Sequence, residues 1–547
     1  MEPAAFLARA RAILAALSEL GEQAIAGARA LTDHGRAIDD HQVVSFEVAY
    51  AATEVRAAAE LLALVDGLEA RASAPLTMTA AAGVASLASR VQGRLSLGRD
   101  SLGLSGGPGD SLLPTDICRA ARECADERVV RAIGRDVLEH DARDRLPFPD
   151  TLDQLRKSVR SFSDAEVAPL AQEIHCRDAL VPDSLIAQMG QLGYFGLSVP
   201  ERHGGQEIGH LAMILTTEEL SCASLGAAGS LITRPEILAR ALLVGGTEAQ
   251  KQHWLPRIAS GQSMVAISVT EPDVGSDVAS LRCRARRAVV GGVDGWVLDG
   301  AKSWCTFAGR ADILAVLART DPDPGQRARG LSLFIVEKEV QRGREFRCRQ
   351  PGGGVLTGRA DATPGYRGMH SFTLDFDGYF VPADRLVGER QGEGRGFYLQ
   401  MAGFAAGRLQ TSGRACGLAR AALAHTAGYL QQRNQFGQAI GQFQLSQYRL
   451  GRMAIEVLIA RALTYAAARA MDEDDSAAAT LAAQAKLLSC DMAVQVTQMG
   501  QLLHGGWGYS QEYPICRHVL DALVLPIFEG VKPVLALKVI ARSLLRA

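Results

Sequence analysis

Glu529, close to the C-terminus, is the acidic residue whose neighbours best suit proton transfer. It follows the mostly apolar run 525–528 and precedes Gly530. A carboxylate in apolar surroundings holds a proton more strongly than one in water, which suits a general base that works near neutral pH. A single Glu before a Gly is also typical of an exposed helix end, so this pattern alone leaves both interpretations open.

Two segments upstream are suited to an anionic ligand. The segment 504–509 contains Gly505 and Gly506, where the absence of a side chain lets the backbone approach a ligand closely. The segment 433–437 begins with a cation, contains Phe436 and follows a predicted long helix, so its guanidinium and amides can meet a pyrophosphate. A solvated helix end is the ordinary alternative for the second segment.

Two further segments lie among short apolar runs. The turn 270–277 follows the run 264–269, and a strand that ends in such a Gly/Ser turn exposes N–H groups and hydroxyls that can hold a phosphate or a flavin edge. A plain surface turn is the alternative. Trp304 stands two residues before Thr306, so on a strand its ring and the hydroxyl face the same side. By itself, such a pair is more often core packing.

The elements that must position these residues change type along the chain. Residues 1–90 are rich in Ala, Leu, Glu and Arg at helical spacing, and the Gly/Pro-rich stretch 105–110 after them is typical of a linker. Helical spacing returns from about residue 115 to 265. Short apolar runs separated by Gly, Asp and Pro then predict a β domain up to about residue 385, and long helices follow from about residue 396.

Composition indicates an ordinary globular protein of two to four domains. The chain has 547 residues, 48% of them hydrophobic and 22% charged, with a net charge of −2. This balance gives no electrostatic reason to expect nucleic acid or an anionic membrane as partner. Ten scattered cysteines without a CxxC pair predict neither disulfides nor a metal site. With no secretion signal and no apolar stretch of about 18 residues, we expect a cytoplasmic protein.

Taken in order, these segments resemble the acyl-CoA dehydrogenase family. Gly196–Glu201, Gly204-Gly205 and Gly246-Thr247 match its pattern as well, and the resemblance covers roughly residues 150–547. It implies an α+β fold with a helical domain, a central β domain and a C-terminal four-helix bundle. The expected bounds are 141–264, 265–390 and 391–547, preceded by an N-terminal helical extension with its linker over residues 1–140.

The resemblance also implies the cofactor FAD, bound by residues that are distant in the sequence. It implies that the last group of these residues reaches the FAD of a neighbouring subunit, so a homodimer or homotetramer is expected. The residues implied as cofactor-binding are Thr270, Gly275, Ser276, Trp304 and Thr306, and, toward the neighbouring subunit's FAD, Arg433, Phe436, Gly505 and Gly506.

By the same resemblance, Glu529 removes the α-proton of an acyl-CoA thioester while the flavin accepts a hydride from the β-carbon. Gly530 and Arg408 are implied to bind the substrate. The sequence departs from the family pattern after Gly530, where Val531–Leu535 replaces a Thr/Ser-rich stretch. Leu502 likewise stands where the family has Gln. Both departures fall on positions that contact FAD in the family.

Within the family, the subfamily that oxidises methylsuccinyl-CoA is the most similar. It shares the N-terminal extension and segments such as Thr233-Arg234 and Gly365–Met369. We therefore expect conversion of (2S)-methylsuccinyl-CoA to mesaconyl-CoA with electron-transferring flavoprotein as acceptor. A buried substrate carboxylate needs a cation, for which Arg234 is the candidate, although an ordinary surface salt bridge is the commoner role. The alternatives are another short or branched acyl-CoA, an acyl-CoA oxidase, or a non-catalytic flavin-binding scaffold.

Overall fold

The structure, a computed structural model, describes residues 2–106 and 111–546, so the last four residues (107–110) of the predicted linker stretch 105–110 lie outside the described residues. The chain forms two compact units. The first comprises the residues up to Gln154 and those from Thr411 onward, and the second is Leu155–Gln410.

Helices precede and follow a single block of strands, as the sequence predicts. The helices before the strands are α1 (Pro3–Leu31), α2 (Gln42–Asp66), α3 (Ala74–Ser96), α4 (Thr115–Cys124), α5 (Glu127–Glu139), α6 (Asp150–Phe162), α7 (Ala168–Arg177), α8 (Asp183–Gln191), α9 (His210–Ala223), α10 (Thr233–Gly245) and α11 (Glu248–Ala259).

The strands of the β region are β1 (Val265–Ser268), β2 (Arg284–Val290), β3 (Val293–Thr306), β4 (Ile313–Arg319), β5 (Leu331–Glu337), β6 (Glu345–Arg349), β7 (Val355–Asp361) and β8 (Ser371–Pro382). After them come α12 (Glu389–Gly392), α13 (Gly396–Gln432), the short hairpin β9 (Asn434–Gln435) and β10 (Gln438–Ala439), α14 (Gln444–Asp472), α15 (Ala478–Leu503), α16 (Pro514–Ala522), α17 (Lys532–Val534), a π-helical segment (Leu535–Ala541) and α18 (Arg542–Arg546).

Strands β1 to β8 form one sheet in the order β1-β4-β2-β3-β8-β7-β6, with β5 paired to β4, and β9 and β10 form a separate two-stranded sheet. β1 runs parallel to β4 with Val265 opposite Ile313, whereas β3 and β8 are antiparallel. Every residue from Ile313 to Ala318 in β4 is buried, which explains its uninterrupted apolar run. The predicted β domain and the α+β fold class are therefore confirmed, while the exact domain bounds remain predictions.

The N-terminal extension packs within the first unit on the C-terminal helices. α1 buries one apolar stripe at helical spacing, as its sequence predicts, and α2 and α3 both pack against α14. Glu54 of α2 is buried between Arg90 and Arg94 of α3, and Arg90 also pairs with Glu456 of α14. No helix among the described residues is long and apolar enough to cross a membrane.

Helices α5 and α14 approach each other so closely that only glycine fits at their crossing. A methyl group on Gly134 would lie 1.9 Å from the carbonyl oxygen of Gln447, and one on Gly451 would lie 2.0 Å from the carbonyl oxygen of Val130. Both distances are far below van der Waals contact, so neither position tolerates a side chain without moving a backbone.

Gly134→Ala is therefore expected to destabilise the protein by about 1–3 kcal/mol through overpacking. Gly93→Ala in α3 is the matched control, because nothing lies within 4 Å of its added methyl group. The control should stabilise its helix by about 0.5–1 kcal/mol. Urea unfolding of both variants checks this, and equal effects of the two substitutions would contradict the close crossing.

Candidate active site

The turn after β1 is anchored by a buried ion pair. Lys302 of β3 is fully buried, and its ammonium group donates to the Val269 carbonyl at 3.0 Å and to the Glu271 carboxylate at 2.9 Å. Glu271 also accepts the backbone N–H groups of residues 282 and 283. These bonds fix the start of the turn, while Gly275 and Ser276 at its far side are exposed.

The same turn is joined to Trp304 and Thr306 through β3. The backbone N–H of Ser303 donates to the Thr270 carbonyl at 2.8 Å. Trp304 lies where the pairing of β3 with β8 shifts register, has a φ of 59°, and is 61% exposed. Thr306 shares a 2.8 Å hydrogen bond with Ser371. Cys305 between them is buried, whereas Trp304 is exposed and Thr306 is half-buried.

Arg433, Gly505 and Gly506 line one cavity of about 620 Å³ in the first unit. A side chain at either glycine would meet nothing within 4 Å, so their backbone groups are open to a ligand. His504 closes one side of the cavity by stacking on Tyr429 at 4.4 Å. Burial lowers the pKa of His504, which leaves its ring uncharged at neutral pH.

Phe436 lies beside this cavity in a second, mostly apolar one. It is 94% exposed at the tip of the β9–β10 hairpin, and its φ of 54° is unusual for an aromatic residue. The second cavity measures about 530 Å³ and is lined by Phe436, Phe443, Leu445, Ser446, Arg449, Met499, Leu502 and Leu503.

Glu529 is bound to two side chains of α13 in the first unit. Its carboxylate accepts hydrogen bonds from the Arg414 guanidinium at 3.1 Å and from the Thr411 hydroxyl. Arg414 is fully buried, also donates to the Thr411 hydroxyl oxygen at 2.6 Å, and lies 4.8 Å from the centre of the Phe528 ring. The three polar groups form one cluster, in which the guanidinium charge stabilises the carboxylate charge.

The surroundings of Glu529 differ from those that the sequence predicts. The sequence predicts apolar surroundings, but the carboxylate meets a cation and a hydroxyl, and Ile527 is exposed. Arg414 and Thr411 were missed because they precede Glu529 by more than 100 residues. The sequence offered one signal. Helix α13 carries three arginines (Arg408, Arg414 and Arg420) among mostly small and apolar residues, and a charge in a buried helix requires an internal partner.

The backbone at Glu529 is held in an unusual conformation. Glu529 has a φ of 56° and Gly530 a φ of 106°. Such a conformation costs a glutamate on the order of 1 kcal/mol and persists only where neighbours fix it. Lys486 of α15 provides one such contact, because its buried ammonium group donates to the Gly530 carbonyl at 2.7 Å.

Arg234, at the start of α10 in the second unit, is half-buried, and it forms no salt bridge with any residue that the structure describes. Its guanidinium donates to the Ser230 carbonyl at 2.8 Å and to the Tyr366 hydroxyl at 2.9 Å, and lies 3.7 Å from the Met369 sulfur. None of these partners is a carboxylate. Two segments noted separately in the sequence, Thr233-Arg234 and Gly365–Met369, are thus brought together. Arg408 is half-buried on α13, in the same unit as Arg234.

Comparison with known proteins identifies relatives that share this architecture. Models of the N-terminal, middle and C-terminal domains of acyl-CoA dehydrogenases match residues 149–262, 266–379 and 394–545. The (2S)-methylsuccinyl-CoA dehydrogenase of Cereibacter sphaeroides is 41% identical over 72% of this chain and 70% of that protein. The chain belongs to the acyl-CoA dehydrogenase family. It is an FAD-dependent oxidoreductase that acts on the CH–CH group of an acyl-CoA.

Solved structures of acyl-CoA dehydrogenases share this fold. Butyryl-CoA dehydrogenase from Megasphaera elsdenii superposes with a TM-score of 0.66 at 31% identity, over 73% of this chain and 99% of that one. A structure described as the electron transferring flavoprotein of Acidaminococcus fermentans also gives 0.66 at 31% identity, over 74% and 100%. The matched family domains begin at residue 149, so the extension lies outside them.

The residues in place fit FAD chemically. An exposed indole ring beside the Thr306 hydroxyl suits an isoalloxazine ring, and the exposed turn at Gly275 and Ser276 offers donors to a phosphate. Arg433 with the open backbone of Gly505 and Gly506 suits a second anionic part of the cofactor.

The Arg414–Glu529 pair is expected to couple strongly in a double-mutant cycle. Arg414→Gln should cost about 3–5 kcal/mol because it leaves a mostly buried carboxylate without its cation. The coupling free energy between Arg414→Gln and Glu529→Gln should lie at about 1–3 kcal/mol. Unfolding in urea of both single variants and the double variant measures it, and strictly additive effects would show that the two groups do not interact.

Proposed function

We propose that this acyl-CoA dehydrogenase oxidises (2S)-methylsuccinyl-CoA to mesaconyl-CoA, with Glu529 as the catalytic base. The observation that carries the substrate assignment is the guanidinium of Arg234, which is half-buried and whose partners among the described residues are the neutral groups of Ser230, Tyr366 and Met369. A guanidinium that is bound by neutral groups can still form an ion pair with a carboxylate of the substrate. The 41% identity to a (2S)-methylsuccinyl-CoA dehydrogenase supports the same assignment.

An additional carboxylate distinguishes the acyl group of this substrate from a simple acyl chain. A dicarboxylic acyl group carries a negative charge into the acyl site, and leaving that charge unpaired costs several kcal/mol or more. Arg234 offers a planar pair of donors for it. The Tyr366 hydroxyl orients the guanidinium from one side and the Ser230 carbonyl from the other, so little side-chain entropy is lost when the carboxylate binds.

Proton removal is assigned to Glu529. Arg414 and Thr411 hydrogen-bond to its carboxylate and fix its orientation for accepting the α-proton. The backbone N–H of Glu529 is the proposed donor to the thioester carbonyl, where it stabilises the developing enolate. FAD, when bound, supplies the acceptor for the hydride that leaves the β-carbon. Arg408 and Gly530 are proposed to contact the substrate.

The FAD is proposed to be shared between subunits of a homodimer or homotetramer. Thr270, Gly275, Ser276, Trp304 and Thr306 hold the FAD of their own chain in this proposal. The exposed Arg433 and Phe436, with Gly505 and Gly506, reach the FAD of the neighbouring chain. The high exposure of Phe436 supports this, since a large aromatic side chain at a hairpin tip buries apolar area when a second chain covers it.

Glu529→Gln should retain FAD and bind acyl-CoA but fail to bleach the flavin. The amide keeps the size of the side chain and removes the base, so the rate of anaerobic flavin reduction should fall by at least about 100-fold. The matched control is Glu512→Gln, an exposed glutamate in the same C-terminal region. Near-normal reduction in Glu529→Gln would assign the base to another residue.

Arg234→Leu should depress turnover of methylsuccinyl-CoA far more than turnover of butyryl-CoA, because only the first substrate carries the extra carboxylate. The difference in kcat/KM should reach about 100-fold or more, the equivalent of a few kcal/mol. Arg240→Leu, on the same helix, is the control and should leave the ratio of the two activities unchanged. A parallel loss of both activities in Arg234→Leu would make Arg234 structural.

Electron-transferring flavoprotein is the proposed electron acceptor. The reduced enzyme should transfer electrons to it rapidly and consume little oxygen in its absence. An oxygen electrode and a dye-coupled assay with the flavoprotein measure the two rates side by side. Oxygen consumption at the full rate without an added acceptor would instead indicate an acyl-CoA oxidase.

A further inference from the structure

The N-terminal extension reaches the segment that follows Glu529. Helix α2 packs against the π-helical segment Leu535–Ala541 as well as against α14. α2 also contacts α15. Tyr50 of α2 is 4% exposed, and its hydroxyl donates to the Asp491 carboxylate of α15 at 2.9 Å. The other oxygen of Asp491 forms an ion pair with Lys532. A continuous polar chain therefore leads from α2 to a residue three positions after Glu529.

Helix α15 contacts the segment after Glu529 twice. Lys486 binds the Gly530 carbonyl at 2.7 Å, and Asp491 on the same helix binds the side chain of Lys532. Two contacts on one rigid helix, to positions two residues apart, define both the location and the direction of the backbone between them. Glu529, whose φ is left-handed, directly precedes this backbone.

In the series of contacts from Tyr50 through Asp491 to Lys532, Tyr50 restricts the position of the Asp491 carboxylate. An ion pair with a partly exposed lysine is worth only about 0–1 kcal/mol alone, since holding two flexible side chains costs entropy. A carboxylate already held by a buried hydroxyl loses less freedom. Burial and the neighbouring Asp491 charge raise the pKa of Tyr50, so the phenol stays a neutral donor. Arg94 lies 4.3 Å from the centre of the Tyr50 ring and restricts its position.

We propose that the extension acts in catalysis through Tyr50, as a positioning residue that orients the Glu529–Lys532 segment by way of Asp491. The proposal rests on the proposed role of Glu529 as base. The proposal also gives a role to Lys532, which lies in the stretch Val531–Leu535 where this sequence departs from the family pattern. Without the extension's hydroxyl, Asp491 and Lys532 would each sample other rotamers, and the base would be aligned with the α-proton less often.

Other contacts of the extension involve C-terminal residues that are farther from Glu529 in the sequence. Asp39 pairs with Lys538 at 2.6 Å, and Arg29 donates to the Leu544 carbonyl at 2.8 and 3.0 Å. These contacts join the same two parts of the first unit but do not lead to Gly530 or Lys532. They provide a control for any general effect of loosening the extension.

The test compares Tyr50→Phe with Asp39→Asn in the holoenzyme. Stopped-flow flavin reduction at saturating methylsuccinyl-CoA should slow by about 10- to 100-fold in Tyr50→Phe, with the dissociation constant for the acyl-CoA, the FAD content and Tm nearly unchanged. Asp39→Asn should reduce flavin at the normal rate. Lys532→Met should resemble Tyr50→Phe, and the double variant Tyr50→Phe/Lys532→Met should be no slower than either single variant.

Equal rates in Tyr50→Phe and the unmodified enzyme would overturn the proposal, as would a loss of rate that follows a loss of Tm in both Tyr50→Phe and Asp39→Asn. Its failure is distinguishable from failure of the proposed base. If Glu529→Gln is inactive while Tyr50→Phe is normal, only the role of the extension is wrong. If Glu529→Gln reduces flavin normally, the base assignment itself is wrong.

Discussion

A fully buried guanidinium requires an anionic or strongly polar neighbour, and Arg414 is placed in the middle of the longest helix of the chain. The Glu529 carboxylate is one such neighbour of Arg414, and the Thr411 hydroxyl, which bonds to both, is another. Residues 409–419 of α13 are all buried, so the carboxylate is bound at a well-defined position on this helix. The location of the proposed base is therefore set by a charge on another helix rather than by its own apolar neighbours.

The conformation of the surrounding loop follows from this anchoring. A glutamate with a left-handed φ is tolerated where the side chain and the next carbonyl are both fixed, here by Arg414 and Lys486. Trp304, Tyr366 and Phe436 have positive φ angles as well. Each belongs to a segment proposed to meet FAD or substrate. Positive φ angles also occur elsewhere, as at Asp33 and Arg327, so they do not mark the site by themselves.

Local patterns in the sequence predicted the elements well and the polar partners poorly. The apolar runs of β4 and β5 identified buried strands because strand period and burial are local properties. Arg234 was selected through the resemblance to the subfamily that oxidises methylsuccinyl-CoA, and not through a local pattern. The contact of Glu529 with Thr411 joins positions 118 residues apart, and the Tyr50–Asp491 bond joins positions 441 apart. No local periodicity encodes such pairs, so only the folded chain reveals them.

The central claim is that Glu529 removes the α-proton, and hydrogen exchange tests it apart from the redox step. In D₂O, the fully reduced holoenzyme cannot oxidise a bound acyl-CoA, yet its base can still exchange the α-hydrogen for deuterium. Mass spectrometry of the recovered acyl-CoA measures this exchange. The account predicts rapid exchange with the unmodified protein and none above background with Glu529→Gln. Equal exchange with the two proteins would contradict it.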